Sequence, residues 1–176
     1  VALEEEYTMQ AKLLLVHALS PLHAGTGQGV DVIDLPIARE KATGIPFLPG
    51  SSIKGVLRDA YSGDKKAAIF GPDTANASDH AGSAPFRDAR LPLLPVRSLA
   101  GTFAWITSPL LLQRFVRDAR NDQNLQPPAV PPTPANATSC LVADQGCALL
   151  LPHQGQRRVV LEDLLLEPDL NAGVST

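Results

Sequence analysis

His23, Asp31 and Asp34 fall in one glycine-rich stretch, HAGTGQGVDVID, which runs from residue 23 to residue 34. A carboxylate on such a loop can bind a hard cation or accept a proton from a hydroxyl. An imidazole nearby can position a phosphate or a nucleophile. The same side chains also hold turns, and the pattern alone leaves both roles open. Further on, PFLPGSSIKG sets Ser51 and Ser52 at the head of a helix with Lys54 one turn in. Backbone N–H groups, hydroxyls and an ammonium there would suit an anion; an ordinary cap with a solvated lysine suits the residues as well. Neither segment is a nucleotide motif. The third glycine after His23 has the wrong spacing for a dinucleotide fingerprint, and PGSSIKG lacks the Gly-Lys-Ser/Thr of a P-loop. The chain has no GxSxG elbow, HExxH helix or CxxC pair, and Cys140 and Cys147 read as ordinary thiols.

The elements that must position these residues can be read from hydrophobic period and turn chemistry. AKLLLVHAL within Gln10–Leu19 predicts a first strand, ended by Ser20-Pro21. Residues 22–52 form a long loop or loose hairpin, a length that is usually functional. SSIKGVLRDAY predicts a helix that buries Ile53, Val56, Leu57 and Ala60 and presents Lys54, Arg58 and Tyr61 on another face. Residues 84–96 read as a strand with proline interruptions and residues 101–107 as another. Ser108-Pro109 starts a second helix, with Leu110, Leu111 and Phe115 inward and Arg114, Arg117 and Arg120 on a solvated or subunit-facing side. A strand at 148–151 and a further segment at 158–166 complete the pattern. The order β–loop–α–β–β–α–β is the split βαβ, ferredoxin-like (RRM-like) plan of an α+β domain.

Composition bounds the rest. The 176 residues are 44% hydrophobic and 19% charged, as expected of a folded chain. No apolar run is long enough to span a membrane, and the acidic start VALEEEYT is unlike an export signal. Met9, the single methionine, marks residues 1–8 as a leader or appended remnant. Five prolines between residues 121 and 139 predict a solvated, extended loop. It separates a 9–120 block from residues 140–176. The net charge of −3 disfavours nucleic acid on average, yet three acids lie at Glu4–Glu6 and four between Glu162 and Asp169. Without them the remainder is +4, which leaves room for a basic groove.

Three separated segments, in order, carry a resemblance. IDLPIARE (Ile33–Glu40), LPGSSIKGVLR (Leu48–Arg58) and LPVRSLAGTFAWITSP (Leu94–Pro109) resemble the RAMP superfamily of CRISPR–Cas systems, and within it the backbone subunit of type III-B (Cmr-type) effector complexes. The resemblance implies a ferredoxin-like RAMP domain with a long loop or thumb insertion near residues 25–47. It implies head-to-tail copies of the chain on a guide CRISPR RNA, with other Cmr complex subunits, in the cytoplasm and with no membrane. It further implies cleavage of complementary target RNA, dependent on a divalent cation (Mg²⁺ or Mn²⁺), by attack of the target's own 2′-OH. By the same resemblance Asp34 is the key catalytic residue and transient metal ligand, and His23 belongs to the catalytic site. Lys54 then contacts the guide, with Ser51, Ser52, Arg58 and Arg39 as further RNA-binding residues. Family members are longer, so residues 140–176 are expected to be the remaining strands and tail of an incomplete subunit. Two alternatives share the fold: a guide-binding subunit that does not cut, and an endonuclease that processes precursor CRISPR RNA by acid–base chemistry.

Overall fold

The computed structural model describes residues 10–26, 35–76, 78–120, 122 and 125–170. Packing groups the chain into two compact units, one spanning His17–Leu91 and one joining the residues up to Val16 with Pro92 onward. Residues 92–120, placed with the N-terminal block on sequence grounds, therefore pack with the C-terminal strands.

In the His17–Leu91 unit, β1 (Phe47–Leu48) pairs antiparallel with β2 (Ala89–Arg90). Between them lie α1 (Gly50–Ala60) and the short α2 (Lys66–Phe70). Tyr61, Phe70 and Phe86 form its aromatic centre: the Phe70 and Phe86 rings stack at 5.7 Å, and Tyr61 tilts against Phe70 at 5.8 Å. The helix predicted at SSIKGVLRDAY is present, but its expected buried face is not. Val56 is 70% exposed, Leu57 and Ala60 are exposed too, and Ile53 is only half-buried. The helix is instead fixed by polar anchors at Gly50 and Arg58, so its apolar stripe has no described layer to cover it.

The second unit begins with β3 (Leu94–Arg97) and β4 (Phe103–Ile106), an antiparallel hairpin in which Val96 faces Ala104 and Arg97 faces Phe103. Strand alternation sends Ala104 into the core, where it packs with Val159 and Leu161. Phe103 and Trp105 leave by the opposite face. α3 (Pro109–Ala119) starts as expected: the Ser108 hydroxyl accepts from the Leu111 N–H at 3.3 Å and Pro109 occupies the first turn. Its inward side holds Leu111, Phe115 and the fully buried Ala119, whereas Leu110 is turned to solvent, contrary to expectation.

β5 (Ser139–Leu141), β6 (Leu151–His153), β7 (Gln156–Leu161) and β8 (Leu164–Asp169) make a four-stranded sheet in the order β5-β8-β7-β6, with β5 parallel to β8. Gln154 and Gly155 turn β6 into β7 with φ of 48° and 76°, the paired positive angles of a type I′ hairpin. The single segment expected at 158–166 is thus a hairpin, folded at Glu162 (φ 50°).

Residues 84–96, expected as a strand with proline interruptions, hold β2 and the start of β3 as two short strands. The expected first strand is absent: Gln10–Leu19 forms no strand among the described residues, and Leu19 is 91% exposed. A strand persists only when its N–H and C=O groups find a ladder, and none reaches this segment. Its apolar run, with Val16 as the one β-branched residue, signals propensity with nothing to pair it.

Candidate functional site

The predicted site residues that are described all belong to the His17–Leu91 unit. Two arms, residues 23–26 and 35–38, run antiparallel: Thr26 N–H donates to the Pro36 carbonyl at 3.0 Å, and Ala38 N–H to the Ala24 carbonyl at 2.8 Å. Gly25 and Ile37 form a bridge between them. Gly25 is required by proximity, since a Cβ there would sit 2.6 Å from the Leu35 Cβ. His23 closes the arms, its Nε2 lying 2.7 Å from the Leu35 carbonyl oxygen. A carbonyl can only accept, so Nε2 carries a proton and is the donor of this bond. Asp31 and Asp34 lie outside the described residues, as does the segment between the arms. Asp34 is nevertheless bonded directly to Leu35, the residue that His23 holds.

The same ladder continues toward α1. Ala38, 1% exposed, also accepts from the Phe47 N–H at 3.1 Å. The path from Ala24 through Ala38 to Phe47 therefore spans two strand spacings, roughly 10 Å. Arg39 and Pro46 bridge the next rung, and the turn is tied by Arg39 Nη1 donating to the Gly44 carbonyl at 2.9 Å. Thr43 adds a hydroxyl bond to Glu40 at 2.6 Å. Arg39 thus spends one donor on its own hairpin and is an exposed residue.

β1 feeds directly into α1 through Pro49. Here the N-terminus is partly taken: the Asp88 carboxylate accepts from the Gly50 N–H at 2.8 Å, and Ser52 N–H turns back to the Pro49 carbonyl at 3.0 Å. Gly50 is dictated by close approach, because a Cβ would lie 2.5 Å from the Phe86 carbonyl oxygen. Asp88 is a residue that sequence reasoning misses. A lone aspartate 38 residues away carries no local signal of capping. What remains open to a ligand at this helix start is the exposed Ser51 and Ser52 and, one turn on, half-buried Lys54, which makes no ion pair with any described residue.

Arg58 has other work. Its Nη1 lies 3.4, 2.8 and 3.1 Å from the carbonyls of Phe70, Gly71 and Pro72, and its Nη2 pairs with Asp73 at 2.6 Å. Ser83 and Ala84 N–H groups satisfy the carbonyls of Ala68 and Ile69. Together they cap the C-terminus of α2, whose last carbonyls would otherwise go unpaired. Among the described residues no three His, Cys, Asp or Glu side chains gather as a metal cage.

These segments coincide with a known family. Residues 15–171 match the RAMP superfamily. The chain belongs to the RAMP superfamily. Its α+β content, small sheets and few helices are those of a ferredoxin-like RAMP domain. Over 116 residues it is 44% identical to the CRISPR system Cmr endoribonuclease Cmr4 of Pyrococcus furiosus, covering 62% of this chain and 39% of that protein. It superposes on oligomeric Cmr4 from Pyrococcus furiosus with a TM-score of 0.61 and 32% identity, over 87% of this chain and 54% of that one. The fold also matches a chain of a type III-B Cmr-beta complex bound to cognate target RNA, at TM-score 0.59 and 19% identity, over 88% and 58% of the two chains. This RAMP chain spans 39% to 58% of the length of these relatives. No helix among the described residues is long and apolar enough to cross a membrane.

Proposed function

We propose that this RAMP chain is part of a type III-B backbone subunit that binds a guide CRISPR RNA and cleaves the complementary target RNA. The observation that carries this reading is the 44% identity over 116 residues with a Cmr endoribonuclease. In this reading further copies of the chain and other Cmr complex subunits assemble on the guide in the cytoplasm. Ser51, Ser52 and Lys54 face the guide's phosphates, and Arg39 adds a peripheral contact. Arg58 is a scaffold residue, because its guanidinium is occupied at the end of α2.

Cleavage follows from Asp34. Its carboxylate accepts the proton of the target 2′-OH, the 2′ oxygen bonds to the adjacent phosphorus, and the bond from phosphorus to the 5′ oxygen breaks. The leaving 5′ oxygen takes up a proton from water, so the products are a 2′,3′-cyclic phosphate and a 5′-OH. His23 acts as a positioning residue. By holding the Leu35 carbonyl it fixes the backbone next to Asp34, and alignment of reacting groups is a large share of catalysis. One or two carboxylates, Asp34 with or without Asp31, would be a sparse donor set of the kind Mg²⁺ uses when RNA oxygens and water complete its shell. When bound at Asp34, Mg²⁺ or Mn²⁺ would supply neutralisation of the charge that develops on the phosphate.

The test is the assembled, guide-loaded complex with wild-type chain or Asp34→Ala on a complementary RNA. Loss of cleavage by at least about 100-fold with target binding retained is expected. Retained cleavage by the variant would leave a guide-binding subunit without this chemistry. Cleavage of precursor guide in place of target would point to a processing enzyme instead.

A further inference from the structure

The β3–β4 hairpin carries an aromatic surface that its core does not use. Phe103 and Trp105 are two residues apart on β4 and share the face opposite buried Ala104. Their rings meet edge to face, with centroids 5.6 Å apart and an interplanar angle of 87°. They remain 51% and 48% exposed. Strand register puts Arg97 opposite Phe103 and Pro95 opposite Trp105, so Arg97 borders the same face. The Arg97 guanidinium is held by Glu162 at 3.2 Å, and both side chains stay largely in water, at 71% and 51% exposure.

We propose that Phe103 and Trp105 form a nucleobase-stacking platform for single-stranded RNA, with Arg97 binding the phosphate beside the stacked base. The proposal rests on the RNA-binding reading above and adds a contact surface to it. Every base offers a π-face, so an exposed aromatic pair beside a cation suits a ligand of variable sequence. Arg97 borders the same face as the two rings, and a cation next to exposed π-faces is the pairing that a stacked base and its phosphate require together. Exposed ion pairs such as that of Arg97 with Glu162 are weak, which leaves Arg97 free to exchange Glu162 for a phosphate.

Trp105 is the chain's single tryptophan, so its emission reports on this face alone. Oligouridylate and oligoadenylate are titrated against the chain while emission and acrylamide quenching are followed. Binding is expected to quench Trp105 and shield it from acrylamide. Phe103→Leu keeps an apolar side chain but loses the ring. It should weaken RNA by about tenfold without changing the salt dependence. Lys54→Glu, in contrast, should change the salt dependence and leave the quenching at saturation intact. RNA that binds without altering Trp105, with Phe103→Leu neutral, overturns the platform and leaves the RNA-binding reading standing. Absence of RNA binding in every variant removes both. Emission that follows protein concentration rather than RNA assigns the face to protein contacts and overturns the proposal.

Discussion

His23 Nε2 donates at 2.7 Å to the carbonyl of Leu35, the residue that follows Asp34 in the chain. The bond makes the imidazole a clasp on the backbone beside the proposed catalytic carboxylate. It also requires a proton on Nε2, since the carbonyl can only accept. A clasp and a general base predict different substitution patterns. His23→Ala should lower target cleavage about tenfold and leave guide binding unchanged, while His23→Gln, whose amide can still donate, should restore most of the rate. A base would instead be lost in both variants, by about 10² to 10⁴. Single-turnover cleavage across pH separates the two: under the clasp, the His23→Gln profile keeps the wild-type shape.

Lys54 lies on α1 without an ionic partner among the described residues, half-buried beside exposed Ser51 and Ser52. An ammonium so placed can hold a phosphate without first breaking a salt bridge. Lys54→Glu should weaken guide RNA. The slope of log affinity against log salt should become shallower by about 0.7 for each phosphate that the protein no longer neutralises. Filter binding at several salt concentrations measures both. An unchanged slope would take Lys54 out of the groove.

The PGSS segment shows how far the sequence reaches. Hydrophobic period places α1 correctly, and Ser108-Pro109 fixes the start of α3, because both signals are local. The buried face of α1 is misjudged because period shows that a stripe exists, not that a partner layer covers it. Gln10–Leu19 fails for the same reason. Asp88 on Gly50 and Asp73 on Arg58 are contacts 38 and 15 residues apart in sequence, and no local pattern encodes them. His23 and Asp34 stand out by residue type and family likeness. The clasp on Leu35 becomes visible only when the two arms are paired.

Arg58 is expected to act on stability rather than on RNA. Its side chain is 24% exposed and its guanidinium serves three carbonyls, whereas the side chain of its partner Asp73 is 89% exposed. Hydrogen bonds from a charged, part-buried donor count for more than an exposed ion pair. Arg58→Ala should therefore cost about 2 kcal/mol, and Asp73→Ala no more than about 1 kcal/mol. Urea denaturation of the two variants measures the difference. Guide affinity, measured where both variants are folded, should not change. Equal losses of stability would show that the ion pair, not the carbonyl cap, holds the end of α2.

Cys140 provides a pH prediction with a definite sign. Burial pushes its thiol above the ordinary range, and an electrostatic contribution from Cys147 adds to the rise. The folded state therefore keeps its proton where the unfolded chain has begun to lose it. Stability from this group is fully present below the ordinary thiol pKa of about 8.5 and declines as pH rises past it toward the higher folded value. Cys140→Ala should flatten the fall in melting temperature above that pH. Alkylation of Cys140 by iodoacetamide, followed by peptide mass spectrometry, should show a midpoint above that of a free thiol. Cys147→Ser should lower that midpoint partway and no further, because burial is the larger cause. A Cys140 midpoint at the free-thiol value would mean that the strand β5 opens often enough for water to reach the sulfur.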